Sequence, residues 1–391
     1  MTFMPGTRRG LDACSSPGGT FAVLALDHRQ NLRKANPAFA DNAELSRFKL
    51  DVTAALASRA TAVLLDPEVA AAQAIAARSI PNSVGLVVAL ESTGYTGEAT
   101  ARHAQIIPGW SVEKARRMGA SAVKLLIYYH PDSSTAKEIE DFTSKVAEQC
   151  QEQDLLLMLE PLSYALDENR KLSSAEKHYV VVETAKRLTR LKIDILKAEF
   201  PLDVNDTDET QWRKACQDIS SASVVPWILL SAAVDYATFL QQVTVACNAG
   251  ASGIAVGRAV WQEAVSMNVD ERKQFRDNWV GVGHSRHDAR DARGNQAFRA
   301  GPGAPRVAAW LQIDVQRRAS RGAACRFQRD DLGVQDAFVG MKTLANDFPF
   351  THQDSADHGI GAGERDAARG QFQRAVHEDC VGGGRRGWGT R

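Results

Sequence analysis

Three ionisable side chains stand inside apolar runs, where a charge is hard to keep. Lys197 lies in DILKAEFP, Lys124 in AVKLLIYY and Glu160 in LLLMLEPLSY. An amine drawn out of water loses the hydration of its charged form, so its pKa falls and a nucleophilic neutral fraction appears near pH 7. Such a lysine can condense with a carbonyl carbon to give an imine. A carboxylate lying between two lysines can carry the protons that carbinolamine formation and dehydration move. The second ammonium would meanwhile depress the first by like-charge repulsion. For a solitary strand lysine, simple neutralisation by Glu160 or Glu199 is the better reading. Burying all three for stability alone is unfavourable, because desolvation usually cancels the Coulomb gain. The trio is therefore read as nucleophile (Lys197), acid/base (Glu160) and charged neighbour (Lys124).

Residues so far apart in sequence need a scaffold that brings them together. From residue 20 to about 266, short apolar runs alternate with longer amphipathic segments, the pattern of parallel strands joined by helices. The spacing predicts eight strands: 21–27, 62–66, 84–91, 122–129, 155–162, 194–201, 226–232 and 253–258. Helices are predicted at 43–59, 135–153, 174–191 and 235–250, among others, with Gly119 and Gly250 as stops. Eight strand and helix pairs fit an α/β fold of the (β/α)8 TIM-barrel type. An open doubly wound sheet is the alternative, but no G-x-G-x-x-G follows the first strand.

In a barrel, function sits at the C-terminal strand ends. Those ends carry Asp27, His28 and Arg29, then Asp66, Glu91, Lys124 with Tyr128, Glu160, Lys197 with Glu199, Ser231, and Gly257 with Arg258. Period-two counting puts Asp27 on the face of Val23 and Ala25, which turns its carboxylate inward toward Lys124 or a substrate hydroxyl. Ser231, Gly257 and Arg258 follow strands seven and eight, both running into helix starts, and are read as a phosphate site. Arg29 or residues of the loops are set to read the far end of the substrate, and Glu91 to partner a lysine. LESTGYTG (90–97) reads as a loop over the strand ends, with Pro108 and Trp110 on its return. His28 has no second histidine on a neighbouring strand end, so no metal is expected.

The chain holds 47 basic and 47 acidic residues, a balance that speaks against a general nucleic-acid binder. The balance is uneven along the chain. Residues 1–280 carry 30 basic and 34 acidic residues, and residues 281–391 carry 17 against 13 with 17 of the 29 glycines; Lys342 is the sole lysine of that second part. It has no sustained period and reads as an irregular, disordered tail. A weakly basic nucleic-acid arm is one account of it. Out-of-frame translation of a GC-rich gene is preferred, because it would yield Arg, Gly and Ala at the expense of Lys. Six scattered cysteines without C-x-x-C suggest a reduced cytoplasm. No signal-peptide or membrane-spanning run is present, so no membrane partner is expected. A homo-oligomer is compatible with the pattern, which does not separate interface faces from barrel-facing ones.

The segments LALDHRQNLRK, GWSVEKARRMGASAVKLLIYYHPD, LEPLSY, DILKAEFP, LLSAAVD and GASGIAVGRAVWQEA, within residues 18–276, resemble the class I tagatose 1,6-bisphosphate aldolases and the related sulfofructosephosphate aldolases. The resemblance implies a barrel at 18–276, with 281–391 outside it, and cleavage of a sugar phosphate through an enzyme-bound imine without metal or other cofactor. It matches Lys197 to the Schiff-base lysine and Glu160 to the acid/base. Lys124 and Asp27 match groups on substrate oxygens, and Ser231 and Arg258 match the phosphate-binding ends. Ala233 stands where a phosphate loop would have glycine. The implied reaction is tagatose 1,6-bisphosphate to dihydroxyacetone phosphate and glyceraldehyde 3-phosphate. A sulfofructosephosphate-type aldolase is the alternative enzyme. A non-catalytic sugar-phosphate sensor or a damaged gene product is the alternative outside enzymes.

Overall fold

The computed structural model describes residues 4–206, 208–232 and 234–274. The expected tail at 281–391 and the expectation at Ala233 lie outside the described residues. The eight expected strands form as β1 (Phe21–Leu26), β2 (Ala62–Leu65), β3 (Gly85–Ala89), β4 (Ala122–Tyr128), β5 (Leu156–Leu162), β6 (Ile195–Ala198), β7 (Trp227–Leu230) and β8 (Gly253–Val256). All pairs are parallel, and β1 bonds to both β2 and β8. The sheet is closed, which removes the open-sheet alternative. Most strands stop short of the predicted runs, because residues such as Asp27, Asp66 and Glu91 leave the ladder to make side-chain bonds.

Helices fill the connections: α1 (Pro5–Cys14), α2 (Gln30–Ala35), α3 (Asn42–Leu56), α4 (Ala71–Ala76), α5 (Val112–Arg117), α6 (Ala136–Glu152), α7 (Ser174–Leu188), α8 (Glu209–Ala222), α9 (Tyr236–Asn248) and α10 (Arg258–Trp261). Polar residues fix their starts by taking up otherwise unbonded N–H groups. Asp41, Ser111, Asp208 and Asp235 each cap a helix, and Ser173 with Glu176 forms a reciprocal capping box on α7. Gly119 and Gly250 follow helix ends with φ of 90° and 111°.

Strand parity divides the core. One set of alternating residues, including Leu24, Val63, Val88, Leu125 and Leu157, packs outward in the large cluster shared with the helices. The other set, including Val23, Ala25, Leu64, Ala89, Met158, Ile195, Ile228 and Ala255, fills the barrel. Leu11 and Cys14 of α1 belong to this inner cluster, so α1 plugs the N-terminal end. That helix was not anticipated. Its buried residues, Thr7, Gly10, Leu11 and Cys14, have helical spacing, but two of them are not apolar and leave the hydrophobic pattern blank. Among the described residues, no helix is long and apolar enough to cross a membrane.

Candidate active site

The charged residues of the barrel are the next step outward on its apolar inner faces. Ala25 is followed at i+2 by Asp27, Ala89 by Glu91, Ala122 by Lys124, Met158 by Glu160 and Ile195 by Lys197. Together with Ser231, Gly257 and Arg258 they line a cleft of about 300 Å³ at the C-terminal ends of the strands.

Lys197 Nζ donates to Glu160 Oε2 at 2.9 Å. Lys124 Nζ stands 2.8 Å from that same oxygen and donates to Asp27 Oδ2 at 2.8 Å and to Glu91 Oε1 at 2.7 Å. The second oxygen of Glu91 accepts from the Leu126 N–H at 3.1 Å. The expected trio is therefore a five-membered cluster. Glu91, set only as a lysine partner, is as close to Lys124 as any other member.

Lys124 is governed by its carboxylate neighbours. Burial alone would lower its pKa, but the charges of Asp27, Glu160 and Glu91 hold it well above the ordinary lysine value. It is a fixed cation at pH 7. Burial would raise Asp27 and Glu160, yet Lys124 and Lys197 hold both below the usual carboxylate range. Glu91 goes the other way, pushed up by burial against the pull of Lys124.

His28 lines the cleft with its ring edge-on to Trp261, centroids 5.2 Å apart, and Trp261 Nε1 donates to Ala25 O at 3.0 Å. Burial pulls its pKa down to about 4, so the imidazole is neutral at pH 7, and its buried Nδ1 has no hydrogen-bond partner. Gly257 packs against it: a Cβ there would lie 3.1 Å from both His28 Cε1 and Ala25 O. Among the described residues, no group of three or more His, Cys, Asp or Glu could hold a metal ion.

The rim after β7 and β8 differs in detail from expectation. The start of α9 is already occupied, because the Asp235 carboxylate accepts from Ala237 N and Thr238 N, and α10 is one turn long. The start of α10 has no side-chain cap. Beside it the rim offers the Ser231 hydroxyl, which accepts from Gly257 N at 3.3 Å, and the Arg258 guanidinium, which has no carboxylate within ion-pair distance among the described residues. Ala232 lines the same rim with φ of 43°, a left-handed conformation that an L-residue adopts only under strain.

Arg29 borders the cleft but is bonded away from it. Its Nη2 donates to Glu91 O at 2.7 Å and its Nη1 to the Glu68 carboxylate. Asp66 is absent from the cleft altogether: it forms a fully buried ion pair with Lys49 of α3 and accepts from the N–H groups of Glu68 and Val69. Its parity is inward, but the chain leaves β2 at Leu65, and the ion pair with α3 then sets the side-chain direction.

Residues 21–263 match the family model described as DeoC/LacD family aldolase. The chain is 30% identical over 304 residues to tagatose 1,6-diphosphate aldolase 2 of Enterococcus faecalis, covering 72% of this chain and 90% of the relative. It is 30% identical over 297 residues to tagatose 1,6-diphosphate aldolase of Lactococcus lactis, covering 70% and 90%. Among solved structures it is similar to a fructose-bisphosphate aldolase from Plasmodium falciparum, with a TM-score of 0.57 over 72% of this chain and 94% of that one. At 11% identity that likeness concerns the fold alone.

Proposed function

The chain belongs to the DeoC/LacD aldolase family, and from that premise we propose that it cleaves tagatose 1,6-bisphosphate to dihydroxyacetone phosphate and glyceraldehyde 3-phosphate through an imine on Lys197. The observation that carries this reading is the hydrogen bond between Lys197 Nζ and a carboxylate, Glu160, that Lys124 also contacts. The tagatose substrate is supported by the names of the relatives at 30% identity.

The proton of that hydrogen bond passes from Lys197 to Glu160, and the freed lone pair attacks the C2 carbonyl. A proton of the resulting ammonium moves to the alkoxide to give the carbinolamine, Glu160 then gives its proton to that hydroxyl, which leaves as water, and the nitrogen becomes an iminium. The iminium draws electrons from the C3–C4 bond while the Glu160 carboxylate takes the C4 hydroxyl proton. The bond breaks to an aldehyde and an enamine, the enamine is protonated at C3, and water releases the second product. Lys124 remains charged throughout, holding substrate oxygens together with Asp27 and keeping Glu160 ionised between steps. Ser231, Gly257 and Arg258 bind the phosphate near C2. Arg29 steadies the strand end at Glu91.

Borohydride treatment in the presence of the ketose bisphosphate tests this. The expected result is a mass increase on the peptide carrying Lys197, with inactivation. Absence of the adduct, or full activity of Lys197→Ala, would sink the proposal.

A further inference from the structure

The segment that reads as a loop over the strand ends is an antiparallel ribbon. Thr96–Glu98 pairs with Ala101–His103. Its base is closed by the bridge between Glu91 and Ile106 and by Ser92 N donating to Gln105 O at 2.7 Å. Its outer end is tied to the barrel: Ser133 Oγ donates to Thr100 O at 3.2 Å, and His103 Nδ1 lies 2.8 Å from Glu138 Oε1. The ribbon is thus fixed at both ends, and its base is the residue that bonds Lys124.

Arg102 projects from this ribbon into a cage of tyrosines. Its guanidinium carbon lies 4.3 Å from the centre of the Tyr95 ring, 4.5 Å from Tyr164 and 5.1 Å from Tyr128. The Tyr95 and Tyr128 rings meet edge to face at 5.1 Å, and the Tyr164 hydroxyl donates to Ser133 Oγ at 2.8 Å. Arg102 Nε donates to Ala99 O at 2.8 Å, and no carboxylate among the described residues is within ion-pair distance. Ring faces stabilise a guanidinium and hold its plane, but they leave its in-plane N–H groups to be satisfied by an acceptor. Tyr128 of the cage lines the cleft, as does Gly94 at the approach to the ribbon.

The order of strands places this cage. In the closed ring, β4 and β8 are opposite, and β6 is two strands from each. Arg258 follows β8, Lys197 lies on β6, and the Arg102 cage sits against Tyr128 of β4. Arg258 therefore lines the cleft on one side, and Tyr128, on which Arg102 stacks, lines it on the opposite side, with Lys197 between them.

We infer that Arg102, held by Tyr95, Tyr128 and Tyr164, binds the phosphate at the end of the substrate remote from the Arg258 rim, and so selects substrates that are anionic at both ends. The inference rests on the aldolase reading above. It gives this role to Arg102 rather than to Arg29, whose Nη groups are bonded to Glu68 and Glu91.

The test uses the full chain and two ligands that cannot form an imine, an acyclic hexitol 1,6-bisphosphate and the hexitol 1-phosphate, with affinities measured by calorimetry. Arg102→Met keeps an apolar stem against the rings and removes the charge-assisted bonds. It is expected to weaken bisphosphate binding by about thirtyfold while leaving the 1-phosphate within about twofold. Arg102→Lys, which keeps the charge without the planar fork, is expected to lose about fivefold on the bisphosphate alone. Equal weakening of both ligands in both variants would mean that the guanidinium only pins the ribbon, and would overturn the inference. So would unchanged bisphosphate affinity in Arg102→Met. Because neither ligand reacts, failure of the imine chemistry is read separately, from borohydride trapping at Lys197.

Discussion

At the floor of the barrel, α1 presents Leu11 and Cys14 to Phe21, Ala122 and Leu156, and the packing is close enough that a Cβ on Gly10 would lie 2.4 Å from Ser121 O. At the mouth, further along the same inward faces, the buried groups are Asp27, Glu91, Lys124, Glu160 and Lys197. Toward the floor, Asp194 stands just before β6. It accepts from Leu157 N at 2.8 Å and pairs with no cation among the described residues, and burial raises its pKa to about 6. Asp27 and Glu160 are also buried, yet their pKa values fall. Burial pushes every carboxylate the same way, and the lysines reverse the outcome at Asp27 and Glu160 but not at Glu91. The charged cluster is thus a balanced set whose members depend on one another, whereas Asp194 is tolerated at a penalty.

Removing the shared cation should break this contrast most strongly. Lys124→Met leaves Asp27, Glu91 and Glu160 buried without their common partner and is expected to destabilise the fold by about 3–5 kcal/mol. Urea denaturation at pH 7 measures this. A loss below about 1 kcal/mol would show that the carboxylates do not depend on Lys124.

The floor provides the opposite sign. A carboxyl whose folded pKa is raised stabilises the fold below its unfolded pKa, and that contribution is lost as pH rises through the folded value. Asp194→Asn, which keeps an acceptor for Leu157 N–H, is therefore expected to gain on the order of 1–2 kcal/mol at pH 7. The gain should shrink as pH falls through 6 and vanish near 4. Denaturation midpoints of both proteins from pH 4 to 8 would follow it, and a gain independent of pH would refute the cause.

The smallest effect concerns strain at the mouth. Ala232→Gly accommodates the left-handed φ of 43° and is expected to stabilise the fold by about 1 kcal/mol. A rise in Tm of a few degrees is the readout.

Much of this architecture is written locally. Alternation along FAVLALD and the other seven runs fixes which residues face the barrel, because side chains on a strand alternate strictly, and it turns Asp27 inward, toward the cleft that Lys124, Glu160 and Lys197 also line. Asp66, counted among the strand ends, stays out of the cleft, because the chain has already left the strand there. The helix α1 was invisible because its buried face includes Thr7 and Gly10. Arg102 gave no signal in the sequence, since its cage comes from Tyr95, Tyr128 and Tyr164 on separate segments. Sequence by itself thus determined the barrel and the inward direction of its charged residues, which are consequences of local periodicity. Only the tertiary structure decided that Lys124 serves three carboxylates, that the Arg29 guanidinium is bonded to Glu68 and Glu91 and that Arg102 stacks on the cleft-lining Tyr128. Those pairings depend on the closure of the ring and the course of the ribbon, which bring together groups whose separation along the chain carries no local pattern.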